Sequence, residues 1–155
     1  MTHCEETPGA AAEKGVSWQT PLKLLIVEDS PIVAGRLAAL ADASLPRVAM
    51  LHLAATGAAA LECIGSCRPD AVLLDIELPD MSGLAVLQHI KTAHPHCLVV
   101  MLTDYGSPEF RWRCAELGAD FFFHKSTEFE CAFEVLREAC VSGTASANRG
   151  SAEHQ

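Results

Sequence analysis

The sequence predicts an α/β fold with a doubly wound, parallel five-stranded sheet in a single domain. Short apolar runs alternate five times with amphipathic stretches long enough to form helices. The runs are almost continuously apolar, which is typical of parallel strands buried on both faces. Because each strand is followed by a helix, we expect right-handed crossovers that cover both faces of the sheet.

The first half of the domain begins with a strand over Leu22–Val27. Ser30 and Pro31 open the first helix, since serine can cap a helix and proline is favoured at the first helical position. This helix is expected to run to about residue 43. The second strand is predicted over Val48–Ala54 and the second helix over Gly57–Ser66.

The third strand is predicted over Ala71–Ile76, and a turn over residues 78–83 leads into the third helix. That helix ends near residue 93, because Pro95 disfavours helical geometry at His94. The fourth strand is expected over Cys97–Leu102.

The fourth helix is predicted over Pro108–Leu117, with Gly118 as its C-terminal stop. The fifth strand covers residues 120–124. The last helix runs over residues 126–141, with Thr127 and Glu130 in capping-box spacing. The natural strand order for these units is the flavodoxin-like 2-1-3-4-5, which places a ligand crevice beyond the carboxyl ends of strands one and three.

Composition narrows the functional classes. The chain has 155 residues, a net charge of −9 and seven cysteines without a CxxC pair. The acidity argues against nucleic acid or an anionic membrane as the main partner. Reduced thiols in a cytoplasmic protein are the simplest interpretation of the cysteines. No run reaches the roughly 18–20 apolar residues of a membrane span.

We expect residues 1–20 to be a flexible leader, 21–141 the domain and 142–155 a flexible tail.

Polar residues follow the predicted strands where this architecture places function. Glu28 and Asp29 end strand one, Asp75 ends strand three, Thr103 ends strand four and Lys125 ends strand five. If the strand order is correct, three carboxylates converge in one crevice. Clustered carboxylates repel one another, and a hard cation such as Mg²⁺ relieves that repulsion. The sequence therefore predicts an acidic magnesium site.

Four motifs recur in one order across roughly residues 22–141. They read LLIVEDSP, AVLLDIELPDMSG, VVMLTDYG and GADFFFHKS. Together they make the chain resemble the CheY-like receiver domain of bacterial two-component response regulators, here without room for an output domain after the last helix.

The resemblance implies a role for each acidic residue. Asp75 matches the aspartate that accepts the phosphoryl group. Glu28 and Asp29 match the acidic pair that helps to hold Mg²⁺, and Glu77 sits where the family uses a backbone carbonyl as a metal ligand. The implied chemistry is phosphoryl transfer from a histidine kinase, or a histidine phosphotransfer protein, to the Asp75 carboxylate.

The resemblance also implies how phosphorylation is read out. Thr103 matches the hydroxyl that binds the phosphoryl group, Lys125 the lysine that pairs with it, and Phe122 the aromatic switch residue. The output is then a downstream protein partner, or onward transfer in a phosphorelay, through the surface of helix four, strand five and helix five. Receivers often pair through this surface, so a homodimer is compatible with it. No direct DNA binding is expected.

Three departures from the family pattern stand out. Ser126 replaces the proline that usually follows the lysine, often in a cis peptide, so Ser126 or Thr127 is expected to cap the last helix. Phe122 lacks a hydroxyl and can report only through packing. Tyr105 and Glu77, each two residues beyond a site residue, could hinder water and tune the lifetime of the acyl phosphate.

Two other functions fit parts of the pattern. The first is a Mg²⁺-dependent aspartyl-phosphate phosphatase in which Glu77 acts as general acid–base. The second is a pseudo-receiver adaptor that works without phosphorylation, against which the complete set of site residues argues. A dinucleotide enzyme is disfavoured because no glycine-rich loop follows strand one.

The cysteines and Trp112 give weaker indications of function. Cys63 and Cys67 lie one helical turn apart, and His94, His96 and Cys97 form a tight cluster in sequence. Neither group has a convincing second pair of metal ligands. The cysteines outside such groups are expected to be small buried hydrophobes. Trp112 is expected to lie on the outer face of helix four.

Overall fold

Strands and helices alternate five times along the chain in the computed structural model, which describes residues 22–45, 48–104 and 107–142. The strands are β1 (Leu22–Val27), β2 (Val48–Ala54), β3 (Ala71–Leu74), β4 (Leu98–Thr103) and β5 (Phe121–His124). The helices are α1 (Pro31–Ser44), α2 (Gly57–Cys67), α3 (Gly83–Ala93), α4 (Pro108–Glu116) and α5 (Phe129–Ser142). The predicted leader and, apart from Ser142, the predicted tail lie outside the described residues.

The sheet confirms the predicted topology. All strand pairs are parallel and the order is β2-β1-β3-β4-β5. Val27 is in register with Leu74, and Thr103 with His124. The residues that follow β1 and β3 therefore leave the sheet side by side, as do those that follow β4 and β5.

Alternation along each buried strand builds two cores, one on each face of the sheet. Leu24 and Ile26 point to the core that α1 and α5 cover. Leu25 and Val27 point to the opposite core, which α2, α3 and α4 cover. The three central strands β1, β3 and β4 are buried almost throughout. Glu28, Asp75 and Thr103 therefore lie at or just beyond the carboxyl ends of these strands.

The ends of several elements differ from the predictions. β3 stops at Leu74, two residues early, and β4 runs from Leu98 to Thr103. At α1 the predicted cap is confirmed, with the Ser30 hydroxyl accepting the Val33 N–H at 3.3 Å. Gly118 is confirmed as the stop after α4, with a φ of 101° that glycine adopts at little cost.

The start of α5 was predicted incorrectly. The helix begins at Phe129, three residues later than expected, and neither Ser126 nor Thr127 caps it. Ser126 instead donates both its N–H and its hydroxyl to Asp104, at 3.1 and 2.7 Å. The carboxylate of Glu128 accepts the His124 N–H at 2.8 Å. These bonds hold residues 124–128 as a turn and delay the helix.

None of the helices in the described residues is both long enough and apolar enough to cross a bilayer.

Candidate functional site

Three carboxylates meet at the carboxyl ends of β1 and β3, as predicted. Glu28, Asp29 and Asp75 each offer an oxygen, and these oxygens lie within 4.8 Å of one another. Glu28 and Asp75 are buried and Asp29 is exposed. The group can therefore be reached from solvent on the Asp29 side.

Lys125 binds both buried carboxylates. Its Nζ donates to Asp75 Oδ2 at 2.8 Å and to Glu28 Oε1 at 2.9 Å. Burial alone would lower the pKa of Lys125, but the hydrogen bonds to Asp75 and Glu28 outweigh it and raise the pKa above its usual value. The lysine therefore stays charged and links the end of β5 to the ends of β1 and β3.

The pKa of Glu28 reflects the desolvation of the site. Its pKa is raised by burial, although Lys125 and the Ser30 N–H, which donates to Oε2 at 3.1 Å, both lower it. One ammonium group thus faces three carboxylates. This excess of hard oxygen ligands and negative charge suits Mg²⁺, which binds through one or two carboxylates and keeps waters.

The residues predicted to read out phosphorylation lie at the ends of β4 and β5. Thr103 is buried, and its carbonyl accepts the Lys125 N–H at 3.0 Å. Phe122 packs against the core that α2, α3 and α4 cover. The guanidinium of Arg111, on α4, lies 4.6 Å from the centroid of the Phe122 ring. Phe122 therefore touches α4 directly.

Glu77 and Tyr105 are the two residues predicted to tune the lifetime of the acyl phosphate. The side chain of Glu77 is exposed, and its backbone N–H donates to Asp75 Oδ1 at 3.3 Å. Its carboxylate is not one of the three clustered oxygens found among the described residues. Tyr105 lies outside the described residues.

Two nearby acids have structural roles that sequence reasoning missed. Asp80 accepts the N–H groups of Gly57 and Ala58, at 2.7 and 2.9 Å, and so caps α2. These bonds, the Gly57 bond first, lower the pKa of Asp80. Asp104 is the acceptor for Ser126. More than twenty residues separate the partners in each case, so no local spacing in the sequence indicates either contact.

Gly83 is a second feature that the motifs did not explain. A Cβ at this position would lie 2.0 Å from the Asp75 carbonyl oxygen and 2.8 Å from the Ile76 Cα. The Gly83 N–H also donates to the Ile76 carbonyl at 2.6 Å. A close approach to backbone therefore requires glycine here, and it fixes the loop that carries Asp75.

The cysteine prediction is only partly correct. Cys114 is buried, as expected, and Cys97 is buried as well. Cys131 is exposed, because α5 turns its neighbours Ala132 and Phe133 towards the core. Trp112 lies on the outer face of α4, as predicted, with 62% of its surface exposed.

Comparison with known proteins gives a consistent result. The family model described as the response regulator receiver domain matches residues 24–137. A protein-glutamate methylesterase/protein-glutamine glutaminase from Rhizobium etli is 34% identical over 100 residues, 64% of this chain and 28% of that protein. An uncharacterized transcriptional regulatory protein from Bacillus subtilis, YvfU, is 30% identical over 122 residues, 79% of this chain and 60% of that protein. The chain thus spans less than two thirds of each of these relatives.

Solved structures show the same fold. The CheY-like response regulator receiver domain protein from Methanospirillum hungatei JF-1 superposes with a TM-score of 0.71 at 25% identity, covering 78% of this chain and 94% of that one. The signal receiver domain of the response regulator NarL from Mycobacterium tuberculosis gives a TM-score of 0.70 at 22% identity, covering 77% and 96%.

Proposed function

Because this chain belongs to the response regulator receiver domain family, we propose that it is a phospho-accepting signalling switch with Asp75 as the acceptor. The observation that carries the proposal is the Lys125 ammonium, hydrogen-bonded to Asp75 and Glu28 where three strands end. It places a fixed positive charge beside the buried Asp75 carboxylate, where it can stabilise the charge of an attached phosphoryl group.

The proposed reaction is a single displacement. An Asp75 carboxylate oxygen forms a bond to the phosphorus of a phosphohistidine. The P–N bond breaks and its electron pair remains on the imidazole. Glu28 and Asp29, with Asp75, would hold Mg²⁺, and Glu77 would add its backbone carbonyl. When bound, the ion would neutralise charge on the phosphoryl oxygens.

Lys125 and Thr103 are proposed to detect the product. Phosphorylation removes the charge of the carboxylate that Lys125 now binds and places negative charge and strong acceptor oxygens on the phosphoryl group. We expect the lysine to follow them and the Thr103 hydroxyl to turn towards them. Since the backbones of Thr103 and Lys125 are hydrogen-bonded, this response would involve the ends of β4 and β5 together.

The signal is proposed to leave through α4, β5 and α5. Phe122 would reorient by packing alone, and Arg111 lies over its ring. A changed ring position would therefore shift α4, whose outer face carries the exposed Trp112. Aromatic side chains of this kind are common anchors of protein interfaces. This surface would serve a downstream protein partner, onward phosphoryl transfer or a homodimer.

The donor in this proposal is a histidine kinase or a histidine phosphotransfer protein in the cytoplasm. Cys63, Cys67, Cys97, Cys114 and Cys131 are free thiols, which suits a reducing compartment. Within the proposal, residues 21–141 are the receiver unit and turn over no separate substrate. Glu77 and Tyr105 would slow hydrolysis of the acyl phosphate by limiting the approach of water.

Intact mass after incubation with acetyl phosphate tests the acceptor and the metal together. The wild-type chain should gain one phosphoryl group only when Mg²⁺ is present. Asp75→Ala should gain none, whereas Asp42→Ala, which removes an exposed carboxylate from α1, should behave like wild type. An equal gain in Asp75→Ala would remove Asp75 from the proposed role.

A further inference from the structure

A second group of side chains of metal-ligating types lies on the sheet face opposite α1 and α5. His52, Cys63 and Cys67 each offer one ligand atom, and these atoms lie within 4.8 Å of one another. His52 belongs to the edge strand β2, and the cysteines stand one turn apart on α2. Side chains alternate along a strand, so His52 shares its face with Ala54, which packs in the core under α2.

The histidine has no partner for its buried nitrogen. His52 Nε2 has almost no contact with solvent and no hydrogen-bond partner among the described residues. A buried nitrogen without a partner costs free energy that a ligand could recover. The two sulfur atoms are the nearby groups with metal affinity.

The Cys63 thiol shares a hydrogen bond with the Cys67 side chain. Burial, followed by contact with Cys67, raises the pKa of Cys63 to about 11. The Cys67 sulfur also lies 3.6 Å from the Ser66 hydroxyl. A metal ion would displace the two thiol protons to solvent, so the site must provide binding free energy beyond that cost.

We propose that His52, Cys63 and Cys67 bind Zn²⁺, with a water molecule as the fourth ligand. Two thiolates and an imidazole form a soft donor set that prefers zinc to Mg²⁺ or Ca²⁺. All three side chains are partly exposed, so water can reach the remaining position.

Tetrahedral zinc requires a small contraction of the cluster. Bond lengths of about 2.0–2.3 Å to nitrogen and sulfur place neighbouring ligand atoms about 3.5–3.8 Å apart. The present limit of 4.8 Å exceeds this by about one ångström, which side-chain rotation can supply. Bound zinc would tie the edge strand β2 to α2.

This site is independent of the proposed phosphoryl chemistry, and its residues are not those of the acidic cluster. A Zn²⁺ titration of the reduced full chain, with excess Mg²⁺ to occupy the carboxylates, measures its affinity. His52→Ala, Cys63→Ser and Cys67→Ser should each weaken binding by roughly tenfold or more. His89→Ala and Cys131→Ser remove an exposed histidine and an exposed cysteine and should leave the affinity unchanged.

Two measurements on the wild-type chain keep the test decisive if a variant fails to fold. Cobalt in place of zinc should produce thiolate-to-metal charge-transfer absorption, which carboxylates do not give. Zn²⁺ should also slow alkylation of Cys63 and Cys67 but not of Cys131, as read by peptide mass. Absence of the charge-transfer band, equal alkylation with and without Zn²⁺, or equal affinity in all variants would overturn the proposal.

Discussion

At the scale of single residues, Lys125 supplies the positive charge that pairs with the two buried carboxylates of the site. Its ammonium group is the hydrogen-bond donor shared by Glu28 and Asp75. Both carboxylates are buried, and a buried charge without a partner is costly. Replacing the lysine should therefore change both the unphosphorylated carboxylate cluster and its response to a phosphoryl group on Asp75.

Lys125→Ala should retain Mg²⁺ binding and phosphorylation but lose the structural response to it. The metal ligands remain, whereas the cation that would follow the phosphoryl group is gone. The amide resonances of Phe122 and Arg111, recorded by NMR before and after phosphorylation, measure the response. They should shift in wild type and in a Lys23→Ala control. An unchanged shift in phosphorylated Lys125→Ala would show that Lys125 does not couple the site to α4.

Gly83→Ala should destabilise the fold and slow phosphorylation, because its Cβ would collide with the Asp75 carbonyl oxygen. Overpacking of this kind costs about 1–3 kcal/mol of unfolding free energy. Gly35→Ala is the matched control, since a Cβ there meets nothing within 4 Å and alanine favours a helix by about 0.5–1 kcal/mol. Denaturant unfolding and the rate of mass gain with acetyl phosphate provide the two readouts. Wild-type values of both for Gly83→Ala would refute the role of this contact.

At the scale of elements, α2 is stabilised by a carboxylate from another loop. Asp80 accepts two N–H groups at the start of the helix, where negative charge is favoured. The pKa of Asp80 is lowered by these bonds. A carboxyl group whose pKa falls on folding adds stability above its unfolded pKa, and that stability is lost as pH falls through the folded value.

Asp80→Ala should therefore lower the unfolding free energy at neutral pH, and the difference from wild type should shrink below about pH 4. Chemical denaturation across this pH range measures the difference. Asp80→Asn separates charge from hydrogen bonding, since it keeps one acceptor oxygen. A difference that is constant or grows in acid would contradict the capping role.

The turn after β5 depends on Ser126. Ser126 donates its N–H and its hydroxyl to Asp104, and proline has neither donor. Ser126→Ala should cost about 0.5–1 kcal/mol for the lost hydroxyl bond, and Ser126→Pro should cost more. Thr127→Ala, in the same turn, is the control. Hydrogen exchange of residues 124–128 should follow the same ranking, and equal exchange in all variants would exclude this link between β4 and β5.

The sequence predicted the elements well because apolar runs and helix caps are local signals. Leu22–Val27 is buried on both faces, and its composition indicates this directly. The predicted start of α5 was wrong because the hydroxyl of Ser126 bonds to Asp104, which follows β4. His52 lies beside two cysteines only after β2 and α2 pack together. Contacts between distant segments have no local signature in a single sequence.

At the scale of the whole molecule, the candidate site residues lie at the carboxyl ends of the strands, and one apolar core packs on each face of the sheet. Glu28, Asp75, Thr103 and Lys125 all follow or end parallel strands, so the fold itself aligns them. The surface formed by α4, β5 and α5 is connected to this edge through the Phe122 ring and Arg111. The proposed signalling therefore depends on a phosphoryl group arriving at Asp75.

Chemical trapping of the modified residue tests this claim most directly. The chain is incubated with acetyl phosphate and Mg²⁺, reduced with borohydride and digested, and its peptides are sequenced by mass spectrometry. Borohydride converts an aspartyl phosphate to homoserine, which marks the acceptor permanently. We expect homoserine at position 75 alone, and none when Mg²⁺ is omitted. Homoserine at another aspartate, or an unmodified position 75 in a chain that has gained phosphoryl mass, would contradict the account.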